Sequence, residues 1–367
     1  MSVWKKLGRI KATEDYWKRR TIANNYPSVT AIELTNKCNF RCTFCPSFIR
    51  KSGYMDIDLL RSILEKTRFS DSLVQLHFHG ESLLHPKLGE MISLCKEFGL
   101  RVGLSTNASL LDEKRSETII ESGLDEIILA FDGVSKEIFE KYRVNANYEK
   151  VKRRMLDFLE FREAKNSKIP FVDLHVIKLE EAKPQIDDFI EYWSKTPVDQ
   201  ITVKSFSTRA GQVNASQAST KDWYFGKRSK RYPCRWFWSS VIILWDGRVV
   251  PCCHDMQGKI IIGDLKKQTL EEIWNGKKMQ ALREAEMRGH HASICADCNE
   301  WYGHPPGLHG FLFGAIADRV KRLVGYGVTS PTPIFDVRYR RKDYPAEGGV
   351  QNVPLNQDLP NLPVLTR

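Results

Sequence analysis

Short apolar runs alternate with longer amphipathic segments from residue 31 to residue 206. The runs at 31–35 (AIELT), 73–78 (LVQLHF), 101–105 (RVGLS), 126–131 (EIILAF), 171–178 (FVDLHVIK) and 200–206 (QITVKSF) have the length and composition of strands. Between them, 56–66, 87–98, 112–122, 147–163 and 183–195 read as helices, with Pro86 and Asp112 as helix starts. Strands alternating with helices at this rhythm predict an α/β fold with a parallel sheet. In parallel α/β barrels sites collect at the C-terminal strand ends, so the loops after the strands are where chemistry is expected.

The pattern changes on either side of this block. Residues 1–28 form a basic lead-in in which Trp4, Leu7 and Ile10 recur at helical spacing, suited to packing on the barrel or to touching a membrane surface. Residues 207–233 are polar and irregular and read as a linker. Two β-rich runs, VIILW and RVVPC, flank Asp246-Gly247, a hairpin turn signal, and a helix is expected from about Thr269. The final segment, 304–367, is expected to hold an amphipathic helix within 305–330 and an extended tail rich in Pro, Asn and Gly over 343–367. No run approaches the length of a membrane span.

Composition adds a formal charge of +11, which favours acidic partners. The charge is uneven: 1–28, 221–235 and the run from Arg338 to Lys342 are strongly basic. Such runs are ordinarily solvated surface. In 221–235, Trp223, Tyr224, Phe225 and Tyr232 interleave with Lys and Arg, a mix that can stack on nucleic acid. Its place directly before Cys234 points instead to an anionic or sugar-like substrate, and no nucleic acid is expected.

Seven of the nine cysteines fall into two arrangements. The first, Cys38-x-x-x-Cys42-x-x-Cys45, follows the first strand. Soft thiolates select zinc, copper(I) or iron–sulfur clusters. Clusters normally take four Cys, so three thiolates suit a cluster with one iron left open. Structural zinc, the alternative, wants four closed ligands, and the nearest candidates, His77 and His79, are far along the chain. Disulfides are not expected: the count is odd, no signal peptide precedes the motif, and the chain reads as cytoplasmic.

The CxxxCxxC run after a short apolar strand resembles that of radical S-adenosylmethionine (SAM) enzymes. The resemblance implies a partial (βα)6 TIM-like barrel, with Cys38, Cys42 and Cys45 holding a [4Fe–4S] cluster whose fourth iron SAM chelates. Phe44 takes the family's aromatic position near the adenine. His79-Gly80-Glu81-Ser82 stands where the family has Gly-Gly-Glu-Pro, so Gly80 and Glu81 are placed at the SAM amino group, though two of the four positions depart. Ser105-Thr106-Asn107 resembles the Thr-Asn-Gly step, with Ala108 at the Gly position, and Asn107 there could bond SAM or simply shape a turn. Asp132, in Phe131-Asp132-Gly133, resembles the turn near the SAM ribose. Arg143 matches a position near the SAM carboxylate and could equally form an ion pair.

Cys234, Cys252, Cys253, Cys295 and Cys298 resemble the family's C-terminal SPASM/twitch extension, built on a β-hairpin and helix and expected over 234–303. Cys95 sits in an apolar helix face, where a buried thiol is the default, so five cysteines remain for one auxiliary cluster. Cys234, Cys252, Cys295 and Cys298 would supply four thiolates and leave Cys253 spare; a four-Cys zinc knuckle is the alternative. The barrel would span 29–206, and the cofactors would be two [4Fe–4S] clusters and SAM. A closed cluster suits electron transfer, and hence oxidation of a carbinol, as in enzymes of the 2-deoxy-scyllo-inosamine dehydrogenase type. Two other radical SAM chemistries stay open: epimerisation with Cys253 as hydrogen donor, and peptide modification. The short stretch before Cys38 lowers the second, since many such enzymes carry an N-terminal leader-recognition domain. A non-catalytic iron–sulfur or nucleic-acid-binding protein is the remote alternative. Lys178, Lys204, Arg209 and Arg235 are candidate substrate contacts for phosphate or carboxylate, and an external donor such as flavodoxin or ferredoxin is expected.

Overall fold

The computed structural model describes residues 3–46, 48–69, 73–213, 231–291, 293–298, 300–303 and 337–340. Six parallel strands form the centre: β1 (Ser28–Ile32), β3 (Val74–Gln75), β4 (Val102–Thr106), β5 (Glu126–Ala130), β7 (Phe171–Ile177) and β8 (Gln200–Lys204). Between them run α2 (Ile57–Lys66), α3 (Leu88–Glu97), α4 (Glu113–Glu121), α5 (Lys136–Tyr142), α6 (Tyr148–Ala164) and α7 (Ile186–Ser194). This is the expected partial barrel. Side-chain caps set several helix starts: Asp56, Asp112, Ser135 and Asn147 each accept a backbone N–H of the first turn.

Alternation along the strands sorts the two faces. Leu104, Leu129, Leu174, Val176 and Ile201 are fully buried in a core they share with Met91, Ile92, Phe158 and Leu159 of the helices. The in-between positions, Ser105, Asp173, His175, Gln200, Thr202 and Lys204, line the opposite face, the barrel lumen. This face is polar, because it has no helix to bury it.

The second segment continues the same sheet. Strand β9 (Ser240–Ile243) pairs parallel with β1, β10 (Arg248–Val250) returns antiparallel to it, and β11 (Gly263–Asp264) follows. The expected Asp246-Gly247 turn forms, with Gly247 at φ +85 as a left-handed turn residue requires. Helix α8 (Leu270–Trp274) starts on a Thr269–Glu272 capping box, and α9 (Lys277–Met287) follows.

Four features lay outside the sequence reading. Strand β12 (Val337–Arg340), which overlaps the third basic run, closes the far edge of the sheet against β8. Two-residue strands β2 (Arg41–Cys42) and β6 (Arg143–Val144) pair with each other, and α5 was not anticipated. Residues 207–213, read as linker, are packed: Glu300 accepts the Thr208 and Ala210 N–H groups at 2.9 and 2.8 Å, and Val213 is buried. Helix α1 (Val3–Trp17) buries Ala12, Asp15 and Tyr16, while Ile10 stays exposed. The aromatic stretch of the 221–235 segment, the 305–330 helix and the 343–367 tail lie outside the described residues. No helix among the described residues is long and apolar enough to cross a membrane.

Glu126, on the lumen face of β5, carries a stability prediction. Its carboxyl is pushed up to about 7, first by burial and then by Asp173. A carboxyl whose folded value lies above its unfolded one destabilises the fold as pH rises through that window. Unfolding free energy should therefore fall between pH 5 and 8, by about 1–2 kcal/mol after allowance for solvent reaching the side chain. Anaerobic urea denaturation should show Glu126→Gln with a flatter profile than wild type over this range; parallel profiles would refute the assignment.

Candidate functional site

The three-cysteine loop leaves β1 through buried Glu33 and Leu34 and is tied down at its base. Thr35 Oγ1 donates to the Gly53 carbonyl at 2.6 Å, Asn36 Nδ2 to the Lys51 carbonyl at 2.9 Å, and Gly53 N–H returns to Asn36 Oδ1. Cys38, Cys42 and Cys45 are half-buried. Cys42 lies opposite Arg143 in the β2–β6 pair, and Cys45 N–H donates to the Cys42 carbonyl at 3.1 Å. The thiols sit within reach of one another's charge. Burial first, and then the neighbouring thiols and carboxylates, push Cys38 up to about 11 and Cys45 up to about 12. A metal centre would reverse this by taking the thiolate form.

The loops after β3 and β4 close against this one. At Gly80 a Cβ would collide with the Thr35 carbonyl oxygen, so only glycine allows the approach. Glu81 N–H donates to the Lys37 carbonyl at 2.8 Å. The Glu81 carboxylate accepts from Leu83 N–H, Thr106 Oγ1 and Asn107 N–H at 3.0, 2.8 and 2.7 Å. Glu81 was expected at the SAM amino group; in this geometry it braces two loops. Asn107 takes the turn role foreseen for it and also faces the first thiol. Its Oδ1 accepts from Ser109 N–H and Oγ, shaping the turn, and its Nδ2 reaches Asn39 Oδ1 at 3.1 Å and Cys38 Sγ at 4.0 Å. Ala108 has φ +59, the backbone state that glycine favours at this step. Ser105 presents its N–H to His77 Nδ1 at 3.0 Å.

Asp132 and Arg143, expected at the ribose and carboxylate of SAM, meet each other. Arg143 Nε and Nη2 donate to Asp132 Oδ2 at 3.0 and 2.6 Å, both side chains are almost fully buried, and Asp132 Oδ1 accepts Ile177 N–H. The Arg143 side chain also hydrogen-bonds the Cys42 thiol. Its guanidinium stacks 5.4 Å from the Phe44 ring, so Phe44, Arg143 and Cys42 share one corner.

The second set of thiols comes together from three segments. Cys234, Cys252, Cys295 and Cys298 line a single cavity with Trp236, Phe237, Ile294 and Trp301. Cys234 N–H donates to Glu286 at 2.9 Å, His254 N–H reaches Cys252 Sγ at 3.4 Å, and Arg231 donates to the Cys295 carbonyl at 2.7 Å. A side-chain hydrogen bond with Cys253, and then burial, push Cys252 up, and burial pushes up the other three, Cys298 to about 12. Cys253 is not in this lining; it packs beside the small Ala31–Ile242–Leu244–Val250 cluster. Cys95 is fully buried in α3, as expected.

Among the described residues no three His, Cys, Asp or Glu side chains converge on a single ion. A cluster gives each thiolate its own iron, so its ligands stand wider apart. Both donor sets, three soft thiols in one loop and four around a largely apolar cavity, fit iron–sulfur ligation.

Of the candidate substrate contacts, Lys204 is on the lumen face at the end of β8, opposite Ile177. Arg209 follows in the loop pinned by Glu300. Lys178 lies just past β7, out of phase with the lumen positions. Arg235 does not join them: it donates to Thr13 Oγ1 of α1 at 2.9 Å. The sequence reading missed the lumen network in which Asp173 contacts His175 at 2.9 Å, Thr202 at 2.7 Å and Gln200 at 2.8 Å. The signal was there, in polar residues at every second position of β7 and β8. It also missed Glu33, whose buried carboxylate takes two bonds from Arg50; Arg50 Nε in turn donates to the Met256 carbonyl at 2.9 Å.

Comparison with known proteins agrees with this layout. Residues 32–192 match the model of the radical SAM superfamily, and residues 234–299 match that of the SPASM iron–sulfur cluster-binding domain. A tungsten-containing aldehyde ferredoxin oxidoreductase cofactor-modifying protein of Pyrococcus furiosus is 23% identical over 73% of this chain and 86% of its own length. The S-adenosyl-L-methionine-dependent 2-deoxy-scyllo-inosamine dehydrogenase of Niallia circulans is 22% identical over 74% and 92%. The crystal structure of Streptococcus suis SuiB bound to S-adenosylmethionine shares the fold, with a TM-score of 0.58 and 14% identity over 80% of this chain and 75% of that one.

Proposed function

A chain whose residues 32–192 form a radical SAM domain and whose residues 234–299 form a SPASM domain belongs to the radical SAM superfamily, and from that premise we propose that it oxidises a carbinol of a small sugar-like or anionic molecule. Its cofactors are SAM and iron–sulfur clusters. When bound, they supply a 5′-deoxyadenosyl radical that removes a substrate hydrogen, and a one-electron acceptor. In this reading Cys38, Cys42 and Cys45 hold the first cluster, and Cys234, Cys252, Cys295 and Cys298 the second. An external reductant such as flavodoxin or ferredoxin completes the electron path.

The observation that carries the oxidation is the four-thiol lining of the second cavity. Four thiolates close a cluster, leaving no iron for substrate, and a closed cluster moves electrons. The Niallia circulans relative, named as a dehydrogenase, favours the same class of reaction. The chain's own groups prepare the first site. Phe40 N–H and Asn107 Nδ2 face Cys38 Sγ at 3.4 and 4.0 Å and stabilise it as a thiolate. The Asp132–Arg143 pair holds the guanidinium beside Cys42, where it lowers the thiol's pKa against the effect of burial. In this reading the same guanidinium also meets the SAM carboxylate.

Reconstituted protein under strong reductant should convert SAM to 5′-deoxyadenosine; none formed would overturn the enzyme reading. The spare thiol divides oxidation from epimerisation, which needs a hydrogen donor. Cys253→Ala should keep both wild-type iron content and substrate turnover. Lost turnover with both clusters intact would favour the epimerase.

A further inference from the structure

The proposed function leaves the substrate's polar handle open, and the barrel lumen offers one. Resting on that reading, we propose that the lumen receives the substrate by an oxyanion, a phosphoryl or carboxylate group, bound by the Nε2–H of His77 and the cations of Lys204 and Arg209. Each comes from a different place in the fold: His77 just after β3, Lys204 at the end of β8, Arg209 in the loop beyond it. Lys204 is on the lumen face, and the charges of Lys204 and Arg209 both act on His77.

The tautomer of His77 is fixed by the backbone. Ser105 N–H donates to Nδ1 at 3.0 Å, so that nitrogen must keep its lone pair and the ring proton sits on Nε2. Burial first, then Lys204, His175 and Arg209, push the imidazole down to about 3. It stays neutral and presents a donor, not a base. Arg209 is set in place as firmly. Its neighbours Thr208 and Ala210 both give their N–H groups to Glu300, and its own φ of +53 turns the chain there. Its guanidinium makes no hydrogen bond or ion pair among the described residues, yet its charge reaches Cys45, His79 and His254. Its neighbour Ala210 lines the four-thiol cavity, so Arg209 lies between the two thiol sites.

The Glu126 carboxyl lies at the far, N-terminal end of β5, and the acceptors nearer this space are spent. Asp173 takes His175, Thr202 and Gln200, and Glu81 takes Leu83, Thr106 and Asn107. A ligand ammonium would meet two cations and no open carboxylate. An oxyanion would meet an N–H, an ammonium and a guanidinium fork, the donors that suit it. The lumen thus selects against an amino-sugar held by its amine and for a sugar acid or sugar phosphate.

The test uses the reconstituted, reduced holoprotein with excess SAM, so that SAM's own carboxylate is already accommodated. The reduced clusters are paramagnetic and broaden the NMR lines of small molecules bound nearby. Inorganic phosphate (phosphorus signal), acetate and methylammonium (methyl proton signals) are titrated separately. Saturable broadening is expected for phosphate or acetate, whichever binds tighter naming the group, and none for methylammonium. Arg209→Met and Lys204→Met should each weaken anion binding at least about tenfold, while Arg153→Met, at an exposed site on α6, should not. Saturable methylammonium binding, no saturable anion binding, or anion binding indifferent to both lumen variants would overturn the proposal. Formation of 5′-deoxyadenosine by the wild-type preparation is scored separately. It persists if only the oxyanion site is wrong and fails if the enzyme reading is wrong.

Discussion

Cys42→Ala is expected to abolish 5′-deoxyadenosine formation, by more than about 10³-fold, because without the cofactor's chemistry no side chain here can cleave SAM. The fold should survive. Cys42 pairs with Arg143 through backbone hydrogen bonds, which alanine retains, and the thiol is only half-buried. What changes is the donor count. Two thiolates remain where three left one iron open, so iron and sulfide at the first site should fall while the four-thiol site keeps its own. The variant should lose about half its iron with an unaltered circular dichroism spectrum, given one cluster at each site. Cys95→Ala is the contrast: that thiol is fully enclosed in α3 and touches neither site, so its iron content and SAM cleavage should match wild type. Full SAM cleavage by Cys42→Ala would remove the three-cysteine loop from the mechanism.

What could be read before the structure was local. Cys38, Cys42 and Cys45 sit within one loop, and the strand ahead of them is a short apolar run, so spacing alone pointed to a metal centre. The second set was legible by counting: with Cys95 assigned to a helix face, five thiols remained for one closed site, and the cavity gathers four of them. Contacts between distant residues were not legible. An ion pair stood open for Arg143, but nothing in either segment shows that a β2–β6 pair of two residues each will seat it on Asp132. Arg235 looked like part of a basic cluster until α1 packed beside it. Strand β12 was invisible for a different reason. Its Arg338 and Arg340 lie opposite Thr202 and Gln200, on a polar lumen face, so the usual apolar signal of a strand edge never forms.

Arg50→Met is expected to cost about 3–5 kcal/mol, the largest stability effect of any single change considered, because it strands a buried carboxylate. Glu33 is fully enclosed at the end of β1, and burial pushes its carboxyl up, against the pull of Arg50. Arg50 supplies two bonds to it, one at 2.8 Å. The donors left behind, the N–H groups of His79 and Trp245, are each 3.3 Å away. Protonation of Glu33 will cap the penalty but not cancel it, since a neutral carboxyl then replaces a satisfied ion pair. At the usual few degrees per kcal/mol for a chain of this size, the melting temperature should drop by roughly 10 °C. Glu33→Gln alone leaves the guanidinium buried without its carboxylate, although Arg50 Nε keeps the Met256 carbonyl. The double variant Glu33→Gln/Arg50→Met removes both charges and should recover much of the loss, a coupling that independent sites would not show. The pair also joins the two thiol sites: Glu33 starts the three-cysteine loop, and Met256 lies just beyond Cys252 and Cys253. Arg50→Met should therefore lower iron retention at both sites at temperatures where the fold is still intact, and the double variant should restore it only in part, because no side chain then bridges to Met256. Additive single effects on melting temperature, with iron retention unchanged, would show that the pair neither couples nor braces the two sites.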